Sequence, residues 1–148
     1  MLLNGTHTLN ASPNIIWGKL MDTDILAKIV PGISKLVKLA DNEFEAISEI
    51  KLGPVSGKFS GGLTLTNIQE PSTFTLNVIQ NSKIGNADAE IKINLFDLGN
   101  SQTELSFDGD AKLSGLLART GQRVLSGVAN SLTKQFFENF EEELQPIE

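Results

Sequence analysis

The chain of 148 residues contains no cysteine and only one histidine, His7. Without cysteine it cannot form a disulfide bond, a thiolate zinc site or an iron–sulfur cluster, and it has no cysteine nucleophile. A lone histidine cannot make a zinc site either, because such sites need three or four protein ligands. We therefore predict no metal site. We interpret His7 as a structural residue, which could donate a hydrogen bond to a ligand carbonyl only if it points inward.

Basic charge and long apolar runs are also scarce. The formal net charge is -6, whereas a protein that binds nucleic acid needs a basic face to displace phosphate counterions. No apolar stretch approaches the roughly 20 residues that span a bilayer, and the first residues lack the pattern of a signal peptide. These absences predict a cytoplasmic protein that binds no nucleic acid and has no direct membrane anchor in this chain. It would be peripheral at a membrane only through a partner.

Familiar catalytic motifs are missing as well. The sequence has no Gly-x-Ser-x-Gly elbow, no phosphate-binding P-loop and no dinucleotide fingerprint. The acidic residues Glu43, Glu45, Glu49, Asp108 and Asp110 alternate with apolar residues. We therefore expect them on the solvated face of their strands, and not as a buried pair suited to acid–base catalysis. No catalytic residue is predicted.

What the sequence does contain is a change of hydrophobic period. Residues 2–10 alternate weakly as a first strand, and two short helices follow before Pro31-Gly32. Six further strands carry apolar residues at every second position, and residues 81–86 are predicted to be a loop between two of them. Turn signals separate the other strands, namely Asp41-Asn42, Gly53-Pro54, Pro71-Ser72 and Gly99-Asn100.

From Ser114 to Leu144 the period becomes helical, because apolar residues recur there at spacings of three and four. Strands followed by a helix are typical of the α+β class, in which the helix packs on one face of an antiparallel sheet. We predict a single domain over residues 1–148. In it, a curved antiparallel sheet of about seven strands wraps around one long C-terminal helix.

Four segments in the same order along the chain carry a resemblance to a known family. They are Pro31-Gly32, Lys51-Leu-Gly-Pro-Val-Ser-Gly-Lys-Phe-Ser-Gly61, Arg119-Thr-Gly-Gln-Arg-Val-Leu125 and Lys134-Gln-Phe-Phe-Glu-Asn-Phe140. With them the chain resembles the CoxG family, which is named after a subunit of carbon monoxide dehydrogenase. That family belongs to the START and Bet v 1-like (SRPBCC) superfamily, whose fold is called the helix grip.

The resemblance implies an accessory protein of a molybdenum hydroxylase such as carbon monoxide dehydrogenase. It implies a quinone or lipid-like molecule held between sheet and helix, and no covalently bound cofactor. Family members that recruit the enzyme to membranes carry an extension beyond the long helix. This chain ends at Glu148, so direct anchoring is not expected of it.

Small residues predict where a ligand would lie. They cluster where the C-terminal helix begins, at Ala87, Ala89, Gly109, Ala111, Gly115 and Gly121. Either they leave a cavity there, or they let the helix approach the sheet closely. We predict a cavity, with Gln80 and Ser82 as polar groups. The predicted lining is Phe59, Leu63, Val78, Ala89, Ile91, Phe107, Gly109, Leu117, Gly121 and Val124.

Three functions remain open from the sequence. The first is a non-catalytic binding protein for an apolar small molecule, and this is the function that we predict. The second is a small helix-grip enzyme of the cyclase or hydrolase type. It would need inward ionisable groups, whereas the expected inward polar residues are only His7, Ser48, Gln80 and Ser82. The third is a purely structural partner whose cavity has collapsed.

Overall fold

The computed structural model of the protein describes residues 1–145. The predicted domain also includes residues 146–148, which lie outside this part. One strand, two short helices, six strands and two helices follow one another along the chain. They are β1 (Leu2–Leu9), α1 (Pro13–Leu20), α2 (Thr23–Ile29), β2 (Ile33–Ala40), β3 (Glu43–Leu52), β4 (Val55–Gln69), β5 (Thr73–Ser82), β6 (Gly85–Gly99), β7 (Gln102–Leu113), α3 (Gly115–Arg119) and α4 (Gln122–Leu144).

The seven strands form one antiparallel sheet in the order β1-β7-β6-β5-β4-β3-β2. Strands β2 to β7 are consecutive neighbours, and β1 pairs with the free side of β7, so β1 and β2 are the edge strands. The predicted turns at Asn42 and Gly99 are confirmed, since both residues have positive φ angles, 63° and 78°. The predicted loop over residues 81–86 is wrong, because β5 continues to Ser82 and β6 begins at Gly85. The α+β class and the curved sheet around a C-terminal helix are confirmed.

The C-terminal helix is interrupted, contrary to the single helix predicted from Ser114 to Leu144. Helix α3 ends at Arg119 and α4 begins at Gln122, and Gly121 between them has a φ angle of 102°. A right-handed helix cannot pass through a residue of positive φ, so the two helices are separate elements. Helix α3 lies against β6, whereas α4 packs against α2 and β1.

Two clusters of buried apolar side chains hold the helices to the sheet. The larger cluster joins α1, α2 and the C-terminal part of α4 to the strands, and Trp17 and Phe140 are among its members. The smaller cluster lies at the end of the sheet near α3 and consists of Val55, Phe59, Leu117 and Leu125. Within residues 1–145, no helix is long and apolar enough to cross a membrane.

Candidate functional site

An apolar cavity of about 270 Å³ lies between the inner face of the sheet and α4. Strands β1, β6 and β7 form its floor, and the ends of α1 and α2 close one side. The lining is apolar except for one threonine, and it consists of Leu3, Leu20, Val30, Pro31, Ile91, Ile93, Leu105, Phe107, Leu132, Thr133, Phe136 and Phe137. This cavity can bind an apolar group by burial, but its wall offers no charge.

A larger groove of about 670 Å³ runs between the edge strand β1 and α4. One wall consists of residues 1–7 with Phe107, and the other is a face of α4 with Ser126, Ala129, Asn130, Thr133, Lys134, Phe137, Glu138 and Glu141. We call it the β1–α4 groove. Leu3, Phe107, Thr133 and Phe137 line both the groove and the apolar cavity, so the two spaces adjoin.

His7 lies where the groove meets the cavity. It occupies an inward position on β1, opposite Leu105 of β7. Its ring stacks on Phe137 with ring centroids 4.3 Å apart and an interplanar angle of 14°. Its Nε2 atom is 2.5 Å from Oε1 of Glu141. The side chain is 33% exposed, so His7 both links β1 to α4 and presents polar atoms to the groove.

The end of the sheet where we predicted the cavity is filled by close packing. A Cβ atom on Gly85 would be 2.0 Å from the backbone oxygen of Ser114, and one on Gly115 would be 2.9 Å from Cα of Gly85. Leu117 of α3 is buried there beside Phe59. The predicted position of the cavity is therefore wrong. The small residues at this end permit close approach of helix and sheet, which was the alternative interpretation.

Two of the predicted binding residues, Ile91 and Phe107, line the apolar cavity. Gly121 and Val124 do not reach it, since Gly121 is exposed at the start of α4 and Val124 is 38% exposed. The remaining predicted residues also lie outside its wall, on the inner face of the sheet or in the packed end: Phe59, Leu63, Val78, Gln80, Ala89, Gly109 and Leu117. Whether these residues contact a ligand stays a prediction.

Gly109 shows why small inward residues are a poor signal of empty space. A Cβ atom at this position would be 2.4 Å from the backbone oxygen of Glu90 and 2.8 Å from Cα of Ile91 on the neighbouring strand. The backbones of β6 and β7 therefore come too close for any side chain. Glycine is needed here for the approach of two strands, as is common where a sheet bends.

The two polar candidates differ in what they already bind. The Oγ atom of Ser82 donates to the backbone oxygen of Gly85 at 2.6 Å and accepts from the Ile84 amide at 3.2 Å, so it belongs to the β5–β6 turn. Gln80 donates from Nε2 to the backbone oxygen of Ile79 at 3.2 Å. The Oε1 atom of Gln80 is buried and has no hydrogen-bond partner among the described residues.

Most of the cavity wall was missed from the sequence. Leu20, Val30 and Pro31 belong to α1 and to the segment between α2 and β2, and no strand pattern shows where these elements cross the sheet. Leu132 and Phe136 offered a better signal. They stand four residues apart on the apolar face of α4, and inward residues of the central strands had to face that part of the helix.

The other acidic and metal-binding candidates are consistent with a solvated surface. Glu43, Glu45, Glu49, Asp108 and Asp110 are all exposed, as predicted. Over residues 1–145, no group of three or more histidine, aspartate or glutamate side chains comes together in a way that could hold a metal ion.

The sequence comparisons identify the family. A model of the carbon monoxide dehydrogenase CoxG family matches residues 5–145. The chain belongs to the CoxG family. A CoxG protein is, by the name of the family, a subunit associated with carbon monoxide dehydrogenase, and together with the fold this indicates a ligand-binding accessory protein. No curated protein matches the sequence significantly.

Solved structures place this CoxG protein among START-like folds. A conserved protein from Geobacillus kaustophilus is 31% identical, with a TM-score of 0.93 over 97% of this chain and 94% of that one. A START superfamily protein from Mycobacterium smegmatis is 17% identical, with a TM-score of 0.74 over 97% of this chain and 99% of that one. The Zhui aromatase/cyclase from Streptomyces sp. R1128 is 13% identical, with a TM-score of 0.69 over 97% and 92% of the two chains. The last two likenesses concern the fold alone.

Proposed function

We propose that this protein is a non-catalytic binding protein that holds a quinone or lipid-like molecule in the cavity under α4. We further propose that it serves a carbon monoxide dehydrogenase-type molybdenum hydroxylase as a cytoplasmic accessory protein, and that it meets a membrane only through that partner. The apolar wall of the cavity carries the ligand proposal, because such a wall selects molecules by burial. Membership of the CoxG family supports the choice of partner.

Burial supplies the affinity in this proposal. Each methylene group that leaves water contributes about 0.8 kcal/mol, so affinity should rise with chain length until the cavity is full. A volume of about 270 Å³ is small for a complete long-chain ligand. A ligand of that size would therefore extend into the adjoining β1–α4 groove.

The single tryptophan gives a direct binding assay. Trp17 lies on α1, and Leu20, one turn further along the same helix, lines the cavity. Naphthoquinones with successively longer isoprenoid chains should quench the fluorescence of Trp17 with increasing affinity. A wild-type protein that binds neither these quinones nor fatty acids would end the proposal.

Two matched substitutions on α4 locate the bound ligand. Leu132 lines the cavity, whereas Leu125, two turns earlier, belongs to the packed cluster near α3. Leu132→Phe should place its ring in the cavity and weaken quinone binding about tenfold or more, which corresponds to about 1.4 kcal/mol. Leu125→Phe should leave the affinity unchanged and cost about 1–3 kcal/mol of stability through overpacking. The reverse pattern would place the ligand near α3 instead.

One observation favours a second candidate, a small helix-grip enzyme. The His7–Glu141 pair adjoins the cavity, and a histidine oriented by a carboxylate is a common acid–base device. Mass spectrometry of a bound ligand before and after incubation separates the candidates, because a binding protein returns it unchanged. The cavity is open in the structure, which counts against a structural partner with a collapsed cavity.

The partner is tested independently of the ligand. Sedimentation velocity of this protein mixed with the molybdenum hydroxylase of the same organism should show a complex. Absence of a complex with and without quinone would remove the accessory role, yet it would leave ligand binding in place.

A further inference from the structure

We propose that the His7–Glu141 pair is a hydrogen-bond acceptor for a hydroxyl head group, so that the ligand is a neutral amphiphile such as a long-chain alcohol, a phenol or a hydroquinone. Given the proposed function, on which this depends, the apolar part of the ligand occupies the cavity and the hydroxyl lies at its junction with the β1–α4 groove. The junction is defined by Phe137, which lines both spaces and carries the stacked His7 ring.

The hydrogen bond to Glu141 sets the chemistry of the imidazole. A carboxylate can only accept, so the bond between Nε2 of His7 and Oε1 of Glu141 is one in which the imidazole donates. In a neutral imidazole the other ring nitrogen, Nδ1, is then an acceptor. Nδ1 has no hydrogen-bond partner within residues 1–145. It is therefore suited to a ligand group that donates a hydrogen bond, and a carbonyl oxygen cannot do so.

The surrounding charges favour a neutral head group over a carboxylate. Glu138 and Glu141 both line the groove beside His7, and the lysine of the same wall, Lys134, has its Nζ 4.0 Å from Oε1 of Glu138. A carboxylate placed at the junction would face two like charges, whereas the one lysine is already shared with an acid. A fatty acid should consequently bind less tightly than the alcohol of equal chain length.

Gly5 makes room for such a head group on β1. It has no side chain, and the Phe107 ring lies over it, since a Cβ there would be 2.8 Å from Cζ of Phe107. The inward face of β1 between Leu3 and His7 is therefore open to the groove. A chain can pass from the cavity, along Phe107, to the imidazole.

The test uses three probes of equal chain length at pH 8: dodecanol, dodecyl methyl ether and dodecanoate. The ether keeps the oxygen acceptor of the alcohol and lacks only its donor. A single neutral hydrogen bond is worth about 0.5–1.5 kcal/mol, which corresponds to a preference of about 2- to 13-fold for the alcohol over the ether. Dodecanoate should bind least tightly. Equal binding of alcohol and ether would overturn the inference while leaving the proposed function intact, whereas binding of none of the probes would end both.

Two pairs of variants assign the preference to His7 and Glu141. His7→Phe keeps a ring to stack on Phe137 and should abolish the preference without changing the ether affinity, while Thr8→Val, exposed on the same strand, should change neither. Glu141→Lys offers a donor to Nε2, so Nδ1 becomes the donor and the preference for the alcohol should vanish. Glu142→Lys makes the same charge change at an exposed neighbour outside the groove and should leave it.

A spectroscopic readout separates this role from a merely structural one. The chain has one histidine, so ¹⁵N NMR of tag-free protein labelled in histidine reports the tautomer of His7 alone. At pH 8 we expect a protonated Nε2 and a bare Nδ1 in the wild type and in Glu142→Lys, and the opposite tautomer in Glu141→Lys. Addition of dodecanol should shift the Nδ1 resonance upfield. A wild-type protein with the proton on Nδ1 would refute the inference.

Discussion

Gly85 is the position where one added methyl group should most disturb the contact between α3 and the sheet. It begins β6 with a φ angle of 130°, which side-chain-bearing residues rarely adopt. A Cβ atom there would lie 2.0 Å from the backbone oxygen of Ser114 and 3.3 Å from Cβ of Leu117. Gly85→Ala must therefore strain its own backbone and push α3 away from the sheet.

The two costs can be estimated separately. A residue held in a sparsely populated backbone conformation costs about 1–3 kcal/mol. Overpacking of a filled interior costs about 1–3 kcal/mol more. Gly85→Ala should thus lower the free energy of unfolding by about 2–6 kcal/mol. For a protein of this size about 1 kcal/mol corresponds to about 2–4 °C in melting temperature. We expect the melting temperature to fall by at least about 4 °C.

Gly127 provides the matched control. It lies inside α4, and nothing comes within 4 Å of the place where its Cβ would be. Alanine is favoured over glycine in a helix by about 0.5–1 kcal/mol, so Gly127→Ala should raise the melting temperature. Thermal unfolding followed by circular dichroism, with urea titration as a second measure, compares both variants with the wild type. If Gly85→Ala were as stable as the wild type, α3 would not be packed closely, and the predicted cavity at this end would be possible again.

Two further substitutions test buried polar groups. Gln80→Met removes a buried oxygen that lacks a partner among the described residues, so stability in urea should be equal to that of the wild type or higher by up to about 3 kcal/mol. A loss of dodecanol affinity in this variant would instead show that Gln80 contacts the ligand. Thr103 is fully buried and donates from Oγ1 to the backbone oxygen of Ala11 at 2.7 Å. Thr103→Val should therefore cost about 1–3 kcal/mol, measured by the same urea titration, and an unchanged midpoint would contradict this.

The sheet was predictable because each strand has one dry and one wet face. Phe44 and Ala46 of β3 are buried, whereas Glu43 and Glu45 beside them are exposed, and this alternation is visible in the sequence. Short turn signals such as Asn42 then fix where each strand ends, because the chain needs a positive φ angle there. Both signals are local, so no knowledge of the neighbouring strands was required.

The helix break and the cavity depend on contacts between distant residues, so the sequence alone misled us. Gly121 fits the helical spacing of its apolar neighbours, and only the structure shows that its φ angle interrupts the helix. Small residues such as Gly85 and Gly115 are compatible with an empty space or with two backbones in contact. Volume considerations at one end of the sheet cannot separate these cases, because the answer depends on how near a helix thirty residues away comes to rest.

The break between α3 and α4 also explains where the cavity lies. Helix α3 contacts β6 closely through Gly85 and Gly115, which fills the end of the sheet that carries the small residues. Because Gly121 separates the two helices, α4 does not have to continue along the same close contact. It packs instead against α2 and β1, and its middle residue Leu132 faces the gap that remains over β6 and β7. Since Leu132 belongs to neither buried cluster, a ligand could fill this gap without displacing the packing at either end. Affinity for an apolar molecule would then not be reduced by a cost of reorganising the core.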